Sequence, residues 1–327
     1  MPIPVIILFA PTASGKTALA LNLFGKSSPS FFKGRAELIS ADSMQVYKKL
    51  DIGTAKPTED EKSELPHHLI DILDPSEQFS VADFVSGADS LCRDIYSRSK
   101  LPLVAGGTGF YIRNFILGLP KTPESDPAVR EMLKDRIFKE GNRVLYEELC
   151  RIDPVSAGKI NVNDAYRICR ALEIFYTTGK PKSFFEMNLS PRKEYDFCVI
   201  ILDRNRDELY ERINRRVDLM FESGLEAEVR SLISAGCSAD MPGMQAIGYR
   251  EWFCYDFSTR EGLEKIRYEI KRNSRKYAKK QFAFMHDIPG AHVVHLEKEE
   301  DGTNKVLEII FNFINKSLDR NAYLDNN

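Results

Sequence analysis

Nothing in this 327-residue sequence supplies a metal-binding or disulfide pattern. Its six cysteines (Cys92, Cys150, Cys169, Cys198, Cys237, Cys254) never form a Cys-x-x-Cys pair, and its five histidines hold no ligand-like spacing to them. That excludes a zinc site and a disulfide framework, and the thiols read as small buried hydrophobes in a reducing compartment. His292 and His295 fall in an apolar-rich stretch, 291–296, that reads as a strand, which puts them on opposite faces. Apolar runs of membrane length are also missing. The run at 3–9 has no basic leader or small-residue cleavage site and leads straight into a Gly-Lys-Thr turn, so a buried strand of a soluble, cytoplasmic protein is expected. With 46 basic against 48 acidic residues the net charge is −2, so a nucleic-acid surface would have to be local. Internal repeats and low-complexity tracts are absent, and the last ten residues are expected to fray.

What is present is an ordinary globular composition, 43% hydrophobic and 29% charged, in a length that suits two domains or one with an insertion. Up to about residue 120, apolar runs at 5–9, 38–40 and 101–105 alternate with helical patterns, as in a parallel sheet covered by helices. A helix is expected from Lys16 to Phe24, closed by Gly25. Ser80 and Asp83 form a capping box ahead of the apolar stripe Val81, Phe84, Val85, Ala88, Leu91, Cys92 and Ile95. Pro120, Pro123 and Pro127 then punctuate a linker, and helical periodicity dominates to about residue 191. Asp126 with Pro127 starts one of these helices, and Asn163 or Asp164 starts another that Gly179 ends. Strand character returns at 197–202, before long charged helices. Residues 1–120 and 194–327 therefore read as an α/β core and 121–193 as a helical insertion domain.

The segment Ala10-Pro11-Thr12-Ala13-Ser14-Gly15-Lys16-Thr17 follows a buried strand and opens a helix, the context a phosphate-binding loop requires. Backbone N–H groups at the helix start cradle a diphosphate, Lys16 adds a point charge, and the Thr17 hydroxyl can ligate Mg²⁺. Ala10 stands where the first glycine is usual. The loop does not say which diphosphate binds. Three absences narrow the choice: an Asn-Lys-x-Asp guanine motif, a clear acid after a second apolar strand, and an Asp-Asp-x-x-Asp pair. They argue against a GTPase, routine ATP hydrolysis and a helical isoprenoid synthase. Asp42 ends the strand in Ile39-Ser40-Ala41-Asp42, at the sheet edge where open α/β sheets bind ligands. A turn or cap role explains it about as well.

Several motifs occur together in a characteristic order: the Gly-Lys-Thr loop, Asp42-Ser43-Met44-Gln45-Val46-Tyr47, Asp51-Ile52-Gly53-Thr54-Ala55-Lys56-Pro57, Pro66-His67-His68-Leu69-Ile70-Asp71 and Gly106-Gly107-Thr108-Gly109-Phe110-Tyr111. They continue through Asn163-Asp164-Ala165-Tyr166-Arg167-Ile168-Cys169-Arg170-Ala171-Leu172-Glu173, Gly224-Leu225-Glu226-Ala227-Glu228-Val229-Arg230, Met244-Gln245-Ala246-Ile247-Gly248-Tyr249-Arg250 and Tyr277-Ala278-Lys279-Lys280-Gln281. In order and spacing the chain resembles the bacterial tRNA dimethylallyltransferases over roughly residues 4–285. The resemblance implies a P-loop NTPase-like parallel-sheet core with a helical insertion domain. It also implies transfer of the dimethylallyl group of dimethylallyl diphosphate to N6 of the anticodon-adjacent adenosine (position 37) of tRNA.

By the same resemblance, residues 10–17 grip the diphosphate, and the ATP-binding label this family often carries comes from that loop alone. Asp42 matches the general base that takes the N6 proton. Thr108, with Lys16, matches the threonine that holds the leaving diphosphate, and Arg230 an arginine that neutralises it, with Mg²⁺ sharing that work. The bland alternative for Arg230 is a solvated helix face. Arg130 and the segment Tyr166, Arg167, Ile168, Cys169 and Arg170 match contacts to the anticodon stem-loop. Asp42, Ser43, Met44, Gln45 and Thr108, with Gln245, Ala246, Ile247, Gly248, Tyr249 and Arg250, match contacts to the flipped-out adenine and its neighbours. Arg167 and Arg170 stand i, i+3, so they are expected to face one way. A monomer free of the membrane is expected.

Residues 265–280 hold eight Lys or Arg against Glu269 alone, more than one solvated helix face can carry. They meet phosphate or acidic protein, or are plain surface. Phe284 stands where the family often has tryptophan, which leaves stacking there open. Three rivals remain: an adenylate isopentenyltransferase, a small-molecule kinase and a nucleotide-dependent RNA-binding switch. The helical insertion and the Gly248-Tyr249-Arg250 loop favour tRNA over a mononucleotide.

Overall fold

The computed structural model describes residues 2–185, 190–285, 288, 290–296 and 299–318. The stretch expected to fray lies, beyond Leu318, outside them. In chain order the elements are β1 (Ile3–Phe9), α1 (Lys16–Phe24), β2 (Ala36–Ala41), α2 (Glu59–Glu64), β3 (His67–His68), α3 (Val81–Ser97), β4 (Leu101–Gly106) and α4 (Gly109–Leu117). Next come α5 (Pro127–Glu140), α6 (Asn142–Ile152), α7 (Pro154–Ala157), α8 (Ala165–Thr178), β5 (Tyr195–Asp203), α9 (Arg206–Glu222) and α10 (Leu225–Ser234). The described chain closes with α11 (Arg260–Met285), β6 (His292–His295) and α12 (Glu299–Leu318).

The chain divides into two compact units, Met1–Ile116 with Arg192–Asn327, and Leu117–Pro191. The first holds a six-stranded sheet in the order β3-β2-β4-β1-β5-β6, in which every pairing is parallel. Burial on both faces explains the unbroken apolar runs: Val5 to Phe9 of β1 are all 0% exposed. β3 is only two residues long and both are histidine, so it has no apolar run by which to find it in the sequence. The capping box of Ser80 and Asp83 is present at α3, and Thr58 with Glu61 forms another at α2. Because all strands run one way, the carboxyl ends of β1, β2 and β4 lie together and deliver three loops to one edge of the sheet.

Among the described residues of the second unit the only regular elements are helices. Leu133, Leu145, Leu149, Ile168, Ala171 and Leu172 form its buried core, drawn from α5, α6 and α8. Asp126 accepts the amides of Ala128 and Val129 at the start of α5, and Asp164 accepts that of Arg167 at the start of α8.

Candidate active site

At that carboxyl edge lies a cavity of about 840 Å³. Its lining includes residues 12–18 after β1, residues 42–45 after β2, Gly106 and Gly107 after β4, and residues 53–57. Arg212, Arg215 and Arg216 of α9, residues 245–247 with Arg250, and Ser274, Tyr277 and Gln281 of α11 complete it. All of these belong to the first unit.

The loop after β1 turns into α1 through Gly15, which caps the helix at a φ of 93°. A side chain there would be strained, because the left-handed region crowds a Cβ. Lys16 folds back so that its ammonium donates to the carbonyls of Ala10 (3.1 Å) and Pro11 (3.2 Å). Burial and then Arg216 push that ammonium down to about 8, with Asp42 acting the other way. Arg212 donates from Nε to the Ala13 carbonyl at 2.9 Å, and Arg216 donates to the Thr12 hydroxyl at 3.3 Å. Burial lowers the Arg216 guanidinium as well, against the pull of Asp42. Cations gathered in a recess they do not fill make a site for a polyanion. Gln281 joins two of the loops: its Oε1 accepts the Thr12 amide (3.0 Å) and its Nε2 donates to the Gly107 carbonyl (2.7 Å).

Asp42 shapes a turn and also faces the cavity. Its Oδ1 accepts the Met44 amide at 2.9 Å and the Gln45 amide at 3.4 Å, a turn-forming role, and the same residue lines the cavity. Thr108 accepts the Ser43 amide at 3.1 Å, which ties the β4 loop to the β2 loop. Burial and then Asp42 push the Tyr277 phenol up to about 12, against a hydrogen bond with Thr108.

The Lys16 value carries a prediction. An anion bound beside Lys16 stabilises its charged form, so inorganic diphosphate should bind with full affinity below pH of about 8. Above that, affinity should fall by up to about tenfold per unit. Calorimetric titration of wild type against Lys16→Arg checks this, since only the wild type should show the loss. The sign for stability is opposite. A lysine whose folded value lies below its unfolded one gives a fold that gains stability as pH rises between the two, so Lys16→Met should raise the Tm of the unliganded protein at neutral pH.

Several expected site residues lie elsewhere. Arg230 is not in the cavity: it donates to Glu226 (2.9 Å) and to the Phe257 carbonyl (2.7 Å), with its guanidinium over the Phe257 ring. Arg216 stands at the loop instead, and its i, i+4 spacing to Arg212 on a helix following a strand was the available signal. Ala10 is fully buried and its amide is bonded to Gly106, so it does not line the cavity, whereas residues 12–17 do. Ile168 and Tyr249 are fully buried among core side chains, Cys169 packs against the helical core, and Ala246, though also buried, still lines the cavity. Gln45 spends its amide internally, on the Thr54 and Ala55 carbonyls and the Ser40 hydroxyl, though it lines the cavity beside Ser43 and Met44. Gln245, Ile247 and Arg250 line it as well, and Gly248 is buried behind them.

In the helical unit, Arg167 and Arg170 do not share one exposed face. Arg167 and Tyr166 are exposed, but Arg170 ion-pairs with the buried Glu173 at 3.0 Å and donates to the Pro123 carbonyl. Arg130 also turns to Glu173, at 3.5 Å. Burial raises the Glu173 carboxyl, yet Ser125 and the two arginines bring it below its ordinary value. A buried carboxylate needs such partners, so these arginines hold the unit together.

The basic stretch of α11 is also largely committed to protein. Lys271 meets Asp218, Arg272 meets Glu269, Arg275 donates to Asn214, and Arg267 lies over Phe221. Gln281 was missed as a site residue, because no local pattern marks a glutamine whose partners lie 269 and 174 residues away.

A family model described as IPP transferase matches residues 45–287. The tRNA dimethylallyltransferase 1 of Trichlorobacter lovleyi is 43% identical over 289 residues, 87% of this chain and 91% of that protein. The tRNA dimethylallyltransferase of Bacillus subtilis is 44% identical over 282 residues, 86% and 87% of the two chains. Among solved structures, the tRNA isopentenylpyrophosphate transferase of Bacillus halodurans matches with a TM-score of 0.67 at 37% identity, covering 96% of this chain and 97% of that one. A eukaryotic dimethylallyltransferase acting on tRNA matches with a TM-score of 0.75 at 28% identity, covering 89% and 73%.

Proposed function

We propose, for a chain that belongs to the IPP transferase family, that it transfers the dimethylallyl group of dimethylallyl diphosphate to N6 of the adenosine beside the tRNA anticodon. The observation that carries this is the meeting of the phosphate-loop cations and the Asp42 carboxylate in one cavity. The diphosphate sits on the loop with Lys16 and Arg216 against its charge. The N6 lone pair attacks the allylic carbon, the carbon–oxygen bond breaks, and the diphosphate leaves with the bonding electrons. Asp42 takes the N6 proton, which an aromatic amine must lose to complete the bond. Lys16 and Arg216 stabilise the departing oxygens, where negative charge builds up.

Among the described residues no group of three or more His, Cys, Asp or Glu could hold a metal. Thr17 at the start of α1 could still offer one oxygen. One protein ligand plus substrate phosphates is the way Mg²⁺ is commonly held, so the site fits that ion. Bound there, Mg²⁺ would supply further counter-charge to the diphosphate.

Incubating the protein with tRNA, dimethylallyl diphosphate and Mg²⁺, followed by mass analysis of the nucleosides, tests the function. One adenosine should gain the prenyl mass. Preferential prenylation of AMP, release of ADP from ATP, or tRNA bound but unmodified would each replace this function with one of its rivals. With tRNA as its substrate, the protein is proposed to act in the cytoplasm. No described helix is long and apolar enough to cross a membrane.

We further infer that the helical unit meets the anticodon stem through Tyr166 and Arg167. Replacing both with alanine should weaken tRNA binding and lower the log–log salt slope by ~0.7–0.9 for the lost phosphate contact. Arg170→Ala should instead destabilise this unit by about 3 kcal/mol or more, because Glu173 stays buried with a partner gone. Filter binding at several salt concentrations and thermal melts of the same proteins separate the two effects. An unchanged slope in the Tyr166/Arg167 variant would remove them from the interface.

A further inference from the structure

The cavity walls away from the phosphate loop are held by a side chain that does not itself line the cavity. Glu228 projects from α10, and its Oε2 accepts the amides of Asp51 (3.1 Å) and Ile52 (2.8 Å). Its Oε1 accepts the amide of Gly53 (3.2 Å) and the phenol of Tyr249 (2.6 Å). One carboxylate thus gathers three consecutive backbone donors of one segment and a side-chain donor of another. Both segments contribute cavity wall, Gly53 to Pro57 from the first and Gln245, Ala246, Ile247 and Arg250 from the second.

The fit is close. Tyr249 is fully buried, and a Cβ on Gly53 would lie 2.5 Å from its ring, so only glycine lets the two segments approach this far. Burial and then Glu228 raise the Tyr249 phenol well above its ordinary range, which keeps it a donor. The first segment is tied in turn to the base. Gln45 donates to the Thr54 and Ala55 carbonyls at 3.2 Å each, and the Gln45 amide itself bonds to Asp42. The phosphate loop has other supports, Gln281, Lys16, Arg212 and Arg216.

We propose that Glu228 is the positioning residue of the acceptor side of the cavity: it fixes the spacing between residues 51–57 and 245–250, and so the room in which the attacked nucleobase meets Asp42. This rests on the function proposed above. Glu228 touches no reacting atom. Its loss would let the two walls drift apart while the donor diphosphate stays seated on the phosphate loop.

The test starts by measuring transfer by the wild-type protein, because absent transfer would refute the function, not the positioning role alone. With transfer established, Glu228→Gln should raise KM for tRNA or lower kcat by about 10- to 100-fold, the usual result of misplacing reacting groups. Affinity for inorganic diphosphate should stay at the wild-type value. Tyr249→Phe keeps the ring and removes one donor, so it should give a smaller change in the same direction, and the double variant should fall short of additivity. If Glu228→Gln does not fold, Tyr249→Phe and Gly53→Ala carry the test. A role confined to stability would lower Tm and leave KM and kcat of the folded protein unchanged. That outcome, or parallel weakening of tRNA and diphosphate binding, overturns the proposal.

Discussion

Replacing Asp42 should slow prenyl transfer by ~10²–10⁴-fold, the usual contribution of a positioned general base. The variant matters, because Asp42 holds a turn besides the proposed role as base. Its Oδ1 accepts the amides of Met44 and Gln45, which shape the turn carrying Ser43, Met44 and Gln45 along the cavity. Asp42→Ala removes both the base and the turn, whereas Asp42→Asn keeps an acceptor oxygen for the turn and removes only the basicity. If proton removal from N6 is the role, the two variants should be slowed alike in single-turnover experiments, with tRNA affinity kept in Asp42→Asn. If the turn is all that matters, Asp42→Asn should transfer at close to the wild-type rate, and Asp42 would leave the mechanism as a base.

The second large effect separates two arginines that look alike in the sequence. Arg216→Ala should reduce kcat by ~10²–10³-fold, in line with loss of a preorganised donor at developing negative charge. Arg230→Ala should leave transfer nearly unchanged and reduce stability by ~1 kcal/mol or less, since exposed ion pairs contribute little. The contrast follows from placement. Arg216 lines the cavity, donates to the Thr12 hydroxyl and feels Asp42, while Arg230 is occupied by Glu226 and the Phe257 carbonyl on the protein surface. Arg216→Lys keeps the charge but not the fork of donors, so partial recovery would show how far charge alone suffices. Equal losses in Arg216→Ala and Arg230→Ala would restore Arg230 to the site.

Short-range physics made much of this protein legible in its sequence. Continuous apolar runs mark strands buried on both faces, as in β1, β4 and β5. Ser80 with Asp83, Asp126 with Pro127, and Asp164 start helices because their partners lie within one turn. The loop at Gly15, Lys16 and Thr17 reads directly as an anion cradle, since strand, turn and helix follow one another along the chain. Tertiary structure alone decided which side chains fill the site and which are consumed in holding it. Arg216 reaches a hydroxyl 204 residues away, and Gln281 reaches an amide 269 residues away. Arg130 and Arg170 are drawn to the buried Glu173, and Tyr249 is packed over Gly53. Local patterns report the face a residue prefers. Whether an arginine there meets a carboxylate, a carbonyl or an open cavity depends on elements the chain brings in from far off, whose identity no local window contains.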